Sequence, residues 1–342
     1  MILVTGAAGH LGNVLVRELI AQGEKVRALV YPGEPLNSLQ GMLIEVIVGD
    51  VLDRDLMKRA MDGVDTVFHL AGIIAIRPGM EALMRQVNVE GTRNVAEVAL
   101  ESKIRRFVHV SSVHAFRREL PDVVVDETTP LALDGPPGSY DRTKAEGTRI
   151  VLDLAGKGLN AVIACPSGII GLHDYAGSEM GQALLSFANN KPDILVDGAY
   201  DFVDVRDVAR GLMLARDKGI KGEIYILSGA RASVENLCLM AQEATGTHSP
   251  KLKVPIRFAI FVIGLFQGLV GWLKIKSRYT VYSLQTLLES SAFSSLKARR
   301  ELGYQARPLK EAVADFINWT FLKPGAGKGK ANEKNGRKKG VA

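Results

Sequence analysis

Short runs of β-branched and aliphatic residues alternate with stretches of helical period through the first half of this chain. Ile2–Thr5, Val26–Val30, Leu43–Val48, Thr66–Leu70, Phe107–Val110 and Ala161–Ala164 read as strands. Each is a near-continuous apolar run, the pattern expected where both faces of a parallel sheet are covered. Leu11–Ala21, Leu56–Met61 and Gln86–Ser102 read as helices, with Asp53 placed to cap the second and Gly23 to stop the first. Such alternation predicts an α/β chain with a doubly wound parallel sheet. Strand-like runs recur at Ile194–Val196, Tyr200–Val205 and Glu223–Leu227, and beyond Ser228 the pattern turns mostly helical, ending with Leu309–Phe321. This predicts a sheet domain from residues 1–165 plus 194–228. A smaller, mostly helical C-terminal lobe would come from 166–193 plus 229–322. From Lys323 the apolar period vanishes among Gly, Lys and Asn, which predicts a disordered tail over 323–342.

Charge changes this picture only at the tail. The whole chain is +6, and residues 323–342 hold seven basic residues and one acid, so the body is neutral. A neutral body gives no support for nucleic-acid binding. With 47% apolar residues the chain can bury a sizeable core. Cys165 and Cys238 stand far apart without metal-ligand spacing, which fits a reducing compartment and predicts neither a disulfide framework nor a metal site. Met1 runs directly into the first strand with no basic or cleavable leader, so a cytoplasmic location is the expectation.

Between the first strand and first helix lies Gly6-Ala7-Ala8-Gly9-His10-Leu11-Gly12. Glycines there allow a tight turn, close backbone approach to a pyrophosphate and tight helix–strand packing. The helix start adds free N–H groups and a positive dipole end. Strand–helix turns also recruit glycine for conformation alone, and the spacing is G-x-x-G-x-x-G rather than G-x-G-x-x-G. Position favours the nucleotide reading: this is the Rossmann arrangement. Asp50-Val51 close the third strand, where the carboxylate can meet an adenine amino group or simply cap a helix. Leu70-Ala71-Gly72, after His69, place small residues along the same edge. The second strand ends Val30-Tyr31-Pro32-Gly33-Glu34, with neither an acid for a ribose 2′-hydroxyl nor an Arg for a 2′-phosphate at the expected position. Arg27 and Glu34 are only nearby. NAD and NADP both stay open as the cofactor.

Tyr140 and Lys144 begin a helix four residues apart and share one face. A phenol of pKa about 10 is a poor acid–base group at neutral pH. An ammonium beside it favours the phenolate and would draw that value down. Alone, such a pair also suits an ordinary helix surface. Phe107–Ser112 runs a strand out to the same edge, and a serine hydroxyl there can stabilise charge moving onto a substrate oxygen.

The combination of Gly6-x-x-Gly9-x-x-Gly12, Asp50, His69-Leu70-Ala71-Gly72, Ser111-Ser112 and Tyr140-x-x-x-Lys144 resembles the extended short-chain dehydrogenase/reductase superfamily, the NAD-dependent epimerase/dehydratase family. The resemblance spans residues 1–322, including Ala164–Gly171, Asp201–Ala209 and Lys297–Tyr304. It implies that Ser112 rather than Ser111 joins Tyr140 and Lys144 as the catalytic group. It also implies that Pro166 and Ser167 flank the nicotinamide, and that Gly6, Ala8, Gly9, His10, Leu11, Gly12, Tyr31, Asp50, Val51, Leu70, Ala71 and Gly72, together with Tyr140 and Lys144, contact the dinucleotide. Sugar dehydratases of the family carry an Asp-Glu pair where this chain has Val113 and His114, so dehydration is not expected. Arg231 and Arg278 are available to a sugar diphosphate, but their surroundings do not match that pattern. Ser277–Ser283 is more similar to the dihydroflavonol-reductase and 3β-hydroxysteroid dehydrogenase group. Hydride transfer at a carbonyl or hydroxyl of an apolar small molecule is therefore expected. A nucleotide-sugar epimerase and a non-catalytic dinucleotide sensor are the alternatives. His114 either touches substrate or packs at the strand end.

Phe258–Leu273 is an uncharged run between Arg257 and Lys274. As a helix it would span about 24 Å, short of the ~30 Å hydrocarbon core. Gly264, Gln267, Gly268 and Gly271 form a small-residue face suited to close helix contact. Two placements stay open: a core or homodimer-interface helix, or a monotopic membrane anchor aided by the basic tail, which would put the protein at a membrane surface.

Overall fold

The computed structural model describes residues 1–74, 79–118, 123–136, 139–189, 193–248, 251–260, 287 and 292–322. Seven parallel strands make the central sheet: β1 (Ile2–Thr5), β2 (Val26–Val30), β3 (Glu45–Val48), β4 (Thr66–His69), β5 (Arg106–Val110), β7 (Ala161–Pro166) and β11 (Ile224–Leu227). Their spatial order is β3-β2-β1-β4-β5-β7-β11, all pairs parallel. The order reverses at β1, and the crevice outside the carboxyl ends there is where such sheets bind ligands.

Helices cover both faces. α1 (His10–Ala21), α7 (Val205–Lys218) and α9 (Leu296–Leu302) pack on one side around Val4, Phe68, Val108 and Ala164. α2 (Arg54–Ala60), α4 (Thr92–Glu101) and α5 (Tyr140–Gly156) pack on the other around Leu3, Val67, Phe107 and Ile163. This alternation along buried strands is why they read as unbroken apolar runs. Edge strand β3 departs from it: Val46 and Val48 are 41% and 55% exposed, so the expectation of two covered faces fails there.

Local chemistry sets the helix starts. The Asp53 carboxylate accepts from the Leu56 amide, as the sequence predicts, and Ser139 caps α5 by accepting from Arg142 N–H. The helix expected over Gln86–Ser102 is two pieces, a π-helical turn over Gln86–Gly91 and then α4, and is preceded by α3 (Glu81–Arg85). π-turns of this kind gather at functional sites. This one aims Asn88 inward.

The remaining strands are β6 (Val124–Val125), β8 (Gly168–Ile170), β9 (Asp193–Val196), β10 (Ala199–Asp204), β12 (Ala230–Ser233), β13 (Lys251–Val254) and β14 (Ala292–Phe293). β10 pairs with β8 and β12, β9 with β13, and β14 with β6. Residues 194–204, grouped by sequence with the sheet domain, therefore pair in the smaller sheets. Of that segment only β11 joins the seven-stranded sheet, and α7 packs on its face. The C-terminal region is carried by α6 (Glu179–Phe187), α8 (Val234–Thr245) and α10 (Leu309–Leu322), with β12, β13 and β14 as short strands the sequence did not separate from helix. Most of the 258–273 run, all of 277–283 and the 323–342 tail lie outside the described residues. Among the described residues no helix is long and apolar enough to cross a membrane.

Candidate active site

The glycine turn is shaped so that side chains cannot fit. Gly6 has φ +66°, and a Cβ on it would lie 2.8 Å from the Ala71 amide nitrogen. A Cβ on Gly12 would collide with the Gly6 carbonyl. Gly9 immediately precedes α1, and its amide bonds the Gly6 carbonyl at 3.2 Å. The backbone is thus folded tightly beneath the open N-terminus of α1, the form and polarity suited to a diphosphate. Ala8 is buried, and its carbonyl accepts from Ser38 Oγ at 2.9 Å. His10 is engaged elsewhere: its Nε2 donates to the Leu172 carbonyl at 2.8 Å. What His10 offers a ligand is therefore main chain.

Next to the turn lies a cavity of about 600 Å³ lined by Tyr31, Glu34, Asp50, Val51, Ala71 and Gly72. Asp50 Oδ1 accepts from the Leu52 amide at 3.0 Å, a local turn bond rather than a helix cap, which Asp53 supplies, and it borders this ligand-sized hollow. Glu34 corrects the sequence reading. Gly33, at φ +83°, turns the chain back, and Glu34 Oε2 accepts from the Tyr31 amide at 3.3 Å. A carboxylate therefore does stand at the end of β2, supplied from three residues further on. Arg27 lies away from it, bonding the Ala60 and Asp62 carbonyls and Glu45.

A second cavity, about 380 Å³, is bounded by Gly9, His10, Leu11, Gly12, Leu70, Ser112, His114, Tyr140, Lys144, Pro166, Ser167 and Tyr200. The structure thus brings Ser112, Tyr140 and Lys144 together beside the glycine turn. Ser111 also borders this cavity, but its Oγ is engaged with Thr148 Oγ1 of α5 at 2.6 Å. Lys144 is 8% exposed and donates from Nζ to the Val110 carbonyl at 3.1 Å. Burial lowers its pKa to about 8. Tyr140 is 9% exposed, and burial pushes its phenol up to about 12, against a downward pull from its hydrogen bond with Ser112. The expectation that Lys144 would draw the phenol down is not met: burial dominates, the opposing pull comes from Ser112, and the ammonium is engaged with the Val110 carbonyl.

Sequence reasoning missed two contributors. Asn88 grips the 70–73 turn by bonding both the amide (2.8 Å) and carbonyl (2.9 Å) of Ile73, and reaches Thr143 of α5 at 3.2 Å. A Cβ on Gly72 would meet Asn88 Oδ1 at 3.2 Å and Lys144 Nζ at 3.3 Å, so this glycine keeps room above the lysine. A lone Asn at an inward helical position was the available signal. The other is a chain of polar groups behind His114. His114 Nδ1 bonds Asp141 Oδ1 at 2.9 Å, its Nε2 bonds the Tyr200 hydroxyl at 2.8 Å, and Arg118 Nη2 donates to Asp141 Oδ2 at 2.5 Å. His114 therefore borders the cavity and packs at the strand end at once.

Residues 2–228 match the model of the NAD dependent epimerase/dehydratase family. A protein of Methylococcus capsulatus named sterol demethylase protein B is 35% identical over 93% of this chain and 97% of its own length. One of Mycobacterium tuberculosis named 3 beta-hydroxysteroid dehydrogenase/Delta 5-->4-isomerase is 29% identical over 89% of this chain and 85% of its own. The crystal structure of gox2253 superposes with a TM-score of 0.83 at 34% identity, covering 96% of this chain and 99% of that one. The chain belongs to the NAD dependent epimerase/dehydratase family, and within it is an NAD-dependent oxidoreductase, as its relatives are.

Proposed function

We propose that the protein transfers hydride between NAD and a carbonyl or secondary hydroxyl of a largely apolar small molecule, with Ser112, Tyr140 and Lys144 as its catalytic residues. The observation that carries the reading is their convergence, Ser112 from the end of β5 and Tyr140 and Lys144 from α5, on one cavity that begins at the glycine turn. The dinucleotide fits the residues present: the cradle at Gly6, Gly9 and Gly12 is filled by any Cβ at positions 6 and 12, and α1 opens its N-terminal amides toward it. Asp50 and Val51 would border the adenine, Lys144 the nicotinamide ribose, and Pro166 and Ser167 the carboxamide. Glu34 would take the ribose hydroxyls and repel a 2′-phosphate, so NAD is favoured over NADP. Bound NAD supplies the hydride acceptor, and NADH the donor.

In the reducing direction Tyr140 holds a proton at neutral pH, because burial keeps the phenol protonated. It delivers that proton to the carbonyl oxygen as negative charge builds there. The Ser112 hydroxyl bonds the same oxygen, and the Lys144 ammonium offsets the charge left on the phenol. Leu11, Leu70, Ile74 and Ile169 along the wall suit an apolar body. The sheet domain would hold the dinucleotide, while 166–193 and the C-terminal segments would frame the substrate. Incubation with NADH and a panel of apolar ketones, followed at 340 nm, tests the reading: stoichiometric NADH oxidation is expected. Saturation by a nucleotide-sugar with no net oxidation would replace it with epimerisation.

A further inference from the structure

The polar chain behind His114 ends on Tyr200, a side chain lining the same cavity. Its hydrogen-bond directions follow from its far end. The Asp141 carboxylate can only accept, and it takes one hydrogen from Arg118 Nη2 and one from His114 Nδ1. Nδ1 therefore carries the imidazole proton. Burial lowers the His114 pKa, which keeps the ring neutral and Nε2 an acceptor. At 2.8 Å from Nε2, the Tyr200 hydroxyl must then be the donor.

A phenol has one proton to give. With that proton committed to His114, Tyr200 presents only acceptor lone pairs to the cavity. Its ring is fixed by edge-on contacts with Phe202 (5.7 Å) and Phe293 (6.0 Å), so the hydroxyl cannot swing to another partner cheaply. The ring of His114 stands 5.5 Å from that of Tyr140 and 5.9 Å from that of Tyr200, which places the two phenols on one small region of the cavity. Opposite chemical roles thus face each other: Tyr140 offers a proton to the reacting oxygen, and Tyr200 accepts one from a neighbouring group.

We infer that Tyr200 is a specificity-determining residue that selects substrates carrying a second hydrogen-bond donor, a hydroxyl close to the reacting carbon, and that His114 is the positioning residue that makes it acceptor-only. This deepens the proposed oxidoreductase reading and rests on it. An ether or a bare methylene at that position gives the acceptor lone pair of Tyr200 no donor, and the substrate is discriminated against for that reason.

The test uses the whole chain with NAD and three classes of probe: cyclohexanol, the cyclohexane-1,2- and 1,3-diols, and the monomethyl ethers of those diols. In wild type, kcat/KM for at least one diol exceeds that for cyclohexanol and for its ether. Tyr200→Phe should lower the diol-to-cyclohexanol ratio by about 3- to 10-fold, the worth of one neutral hydrogen bond. A general loss of folding or activity lowers both rates alike and leaves the ratio where it was. His114→Phe releases the phenol proton and should raise the ether-to-diol ratio, which a merely structural His114 would not do. The same probes titrated calorimetrically into NAD-loaded Tyr140→Phe and Tyr140→Phe/Tyr200→Phe give ratios of Kd independent of turnover. Absence of oxidation for every probe would count against the hydride-transfer reading, while the Kd ratios still decide this one. Wild-type protein that handles diols no better than cyclohexanol, or a Tyr200→Phe ratio equal to wild type, overturns the inference.

Discussion

The two ends of the ligand groove are built from different materials. Where a diphosphate would lie, main chain does the shaping: Gly6 and Gly12 leave no room for side chains beneath the N-terminus of α1, and Gly9 is tight. At the opposite end the surface is made of side chains from separate elements, with Ser112 after β5, Tyr140 and Lys144 on α5, and Tyr200 on β10. The difference lies in how each end tolerates change. A backbone cradle fails by steric exclusion and takes affinity with it. A side-chain cluster can lose one group, keep its shape and lose chemistry instead.

The largest effect should come at the side-chain end. Lys144→Met removes the buried charge beside Tyr140 and should lower kcat by about 10²- to 10³-fold, as the loss of one electrostatic stabiliser does. Steady-state rates with saturating NADH check it, and a variant within threefold of wild type would place the lysine outside the chemistry. At the backbone end, Gly12→Val forces a side chain against the Gly6 carbonyl. Strain of that kind costs about 1–3 kcal/mol, so the Kd for NAD should rise about 10- to 100-fold. Calorimetry reads this directly, and unchanged affinity would dissolve the contrast between the two ends.

Much of this contrast was legible in the chain, and unevenly so. The glycine cradle could be read because backbone shape is written in consecutive residues, and Tyr140/Lys144 because helical spacing places them on one face. Glu34 escaped that logic: its carboxylate reaches the end of β2 only because Gly33 reverses the chain, a turn that strand-end counting does not include. The chain Arg118–Asp141–His114–Tyr200 spans residues from β10 and the segments around Ser112 and Tyr140, so no local pattern announces it. The π-turn at Asn88 hid within an amphipathic run whose period differs little from that of an unbroken helix. The short strands β12 and β13 hid because their polar and apolar residues suit either structure, and tertiary pairing decides.

Two smaller effects sharpen the picture. Lys144 is charged below a pKa of about 8 and loses its proton as pH rises through it. Reductive kcat/KM should therefore decline by about tenfold per pH unit on the alkaline side. In Lys144→Arg, whose guanidinium stays charged, that limb should move to higher pH, and a limb that stays in place would assign it to another group. Glu34→Gln should narrow the preference for NAD over NADP by about tenfold, one charge-assisted hydrogen bond's worth. Paired titrations with NADH and NADPH measure it, and an unaltered ratio would return Glu34 to a turn-stabilising role only.

The most direct measurement is on Tyr140→Phe, which keeps the ring and deletes only the hydroxyl. NADH affinity should remain within about threefold of wild type, because a phenol outside the cradle contributes at most one neutral hydrogen bond. Single-turnover reduction of a ketone should slow by about 10²- to 10⁴-fold, the range for a missing acid–base group. Reduction at the wild-type rate with NADH still bound would contradict the account.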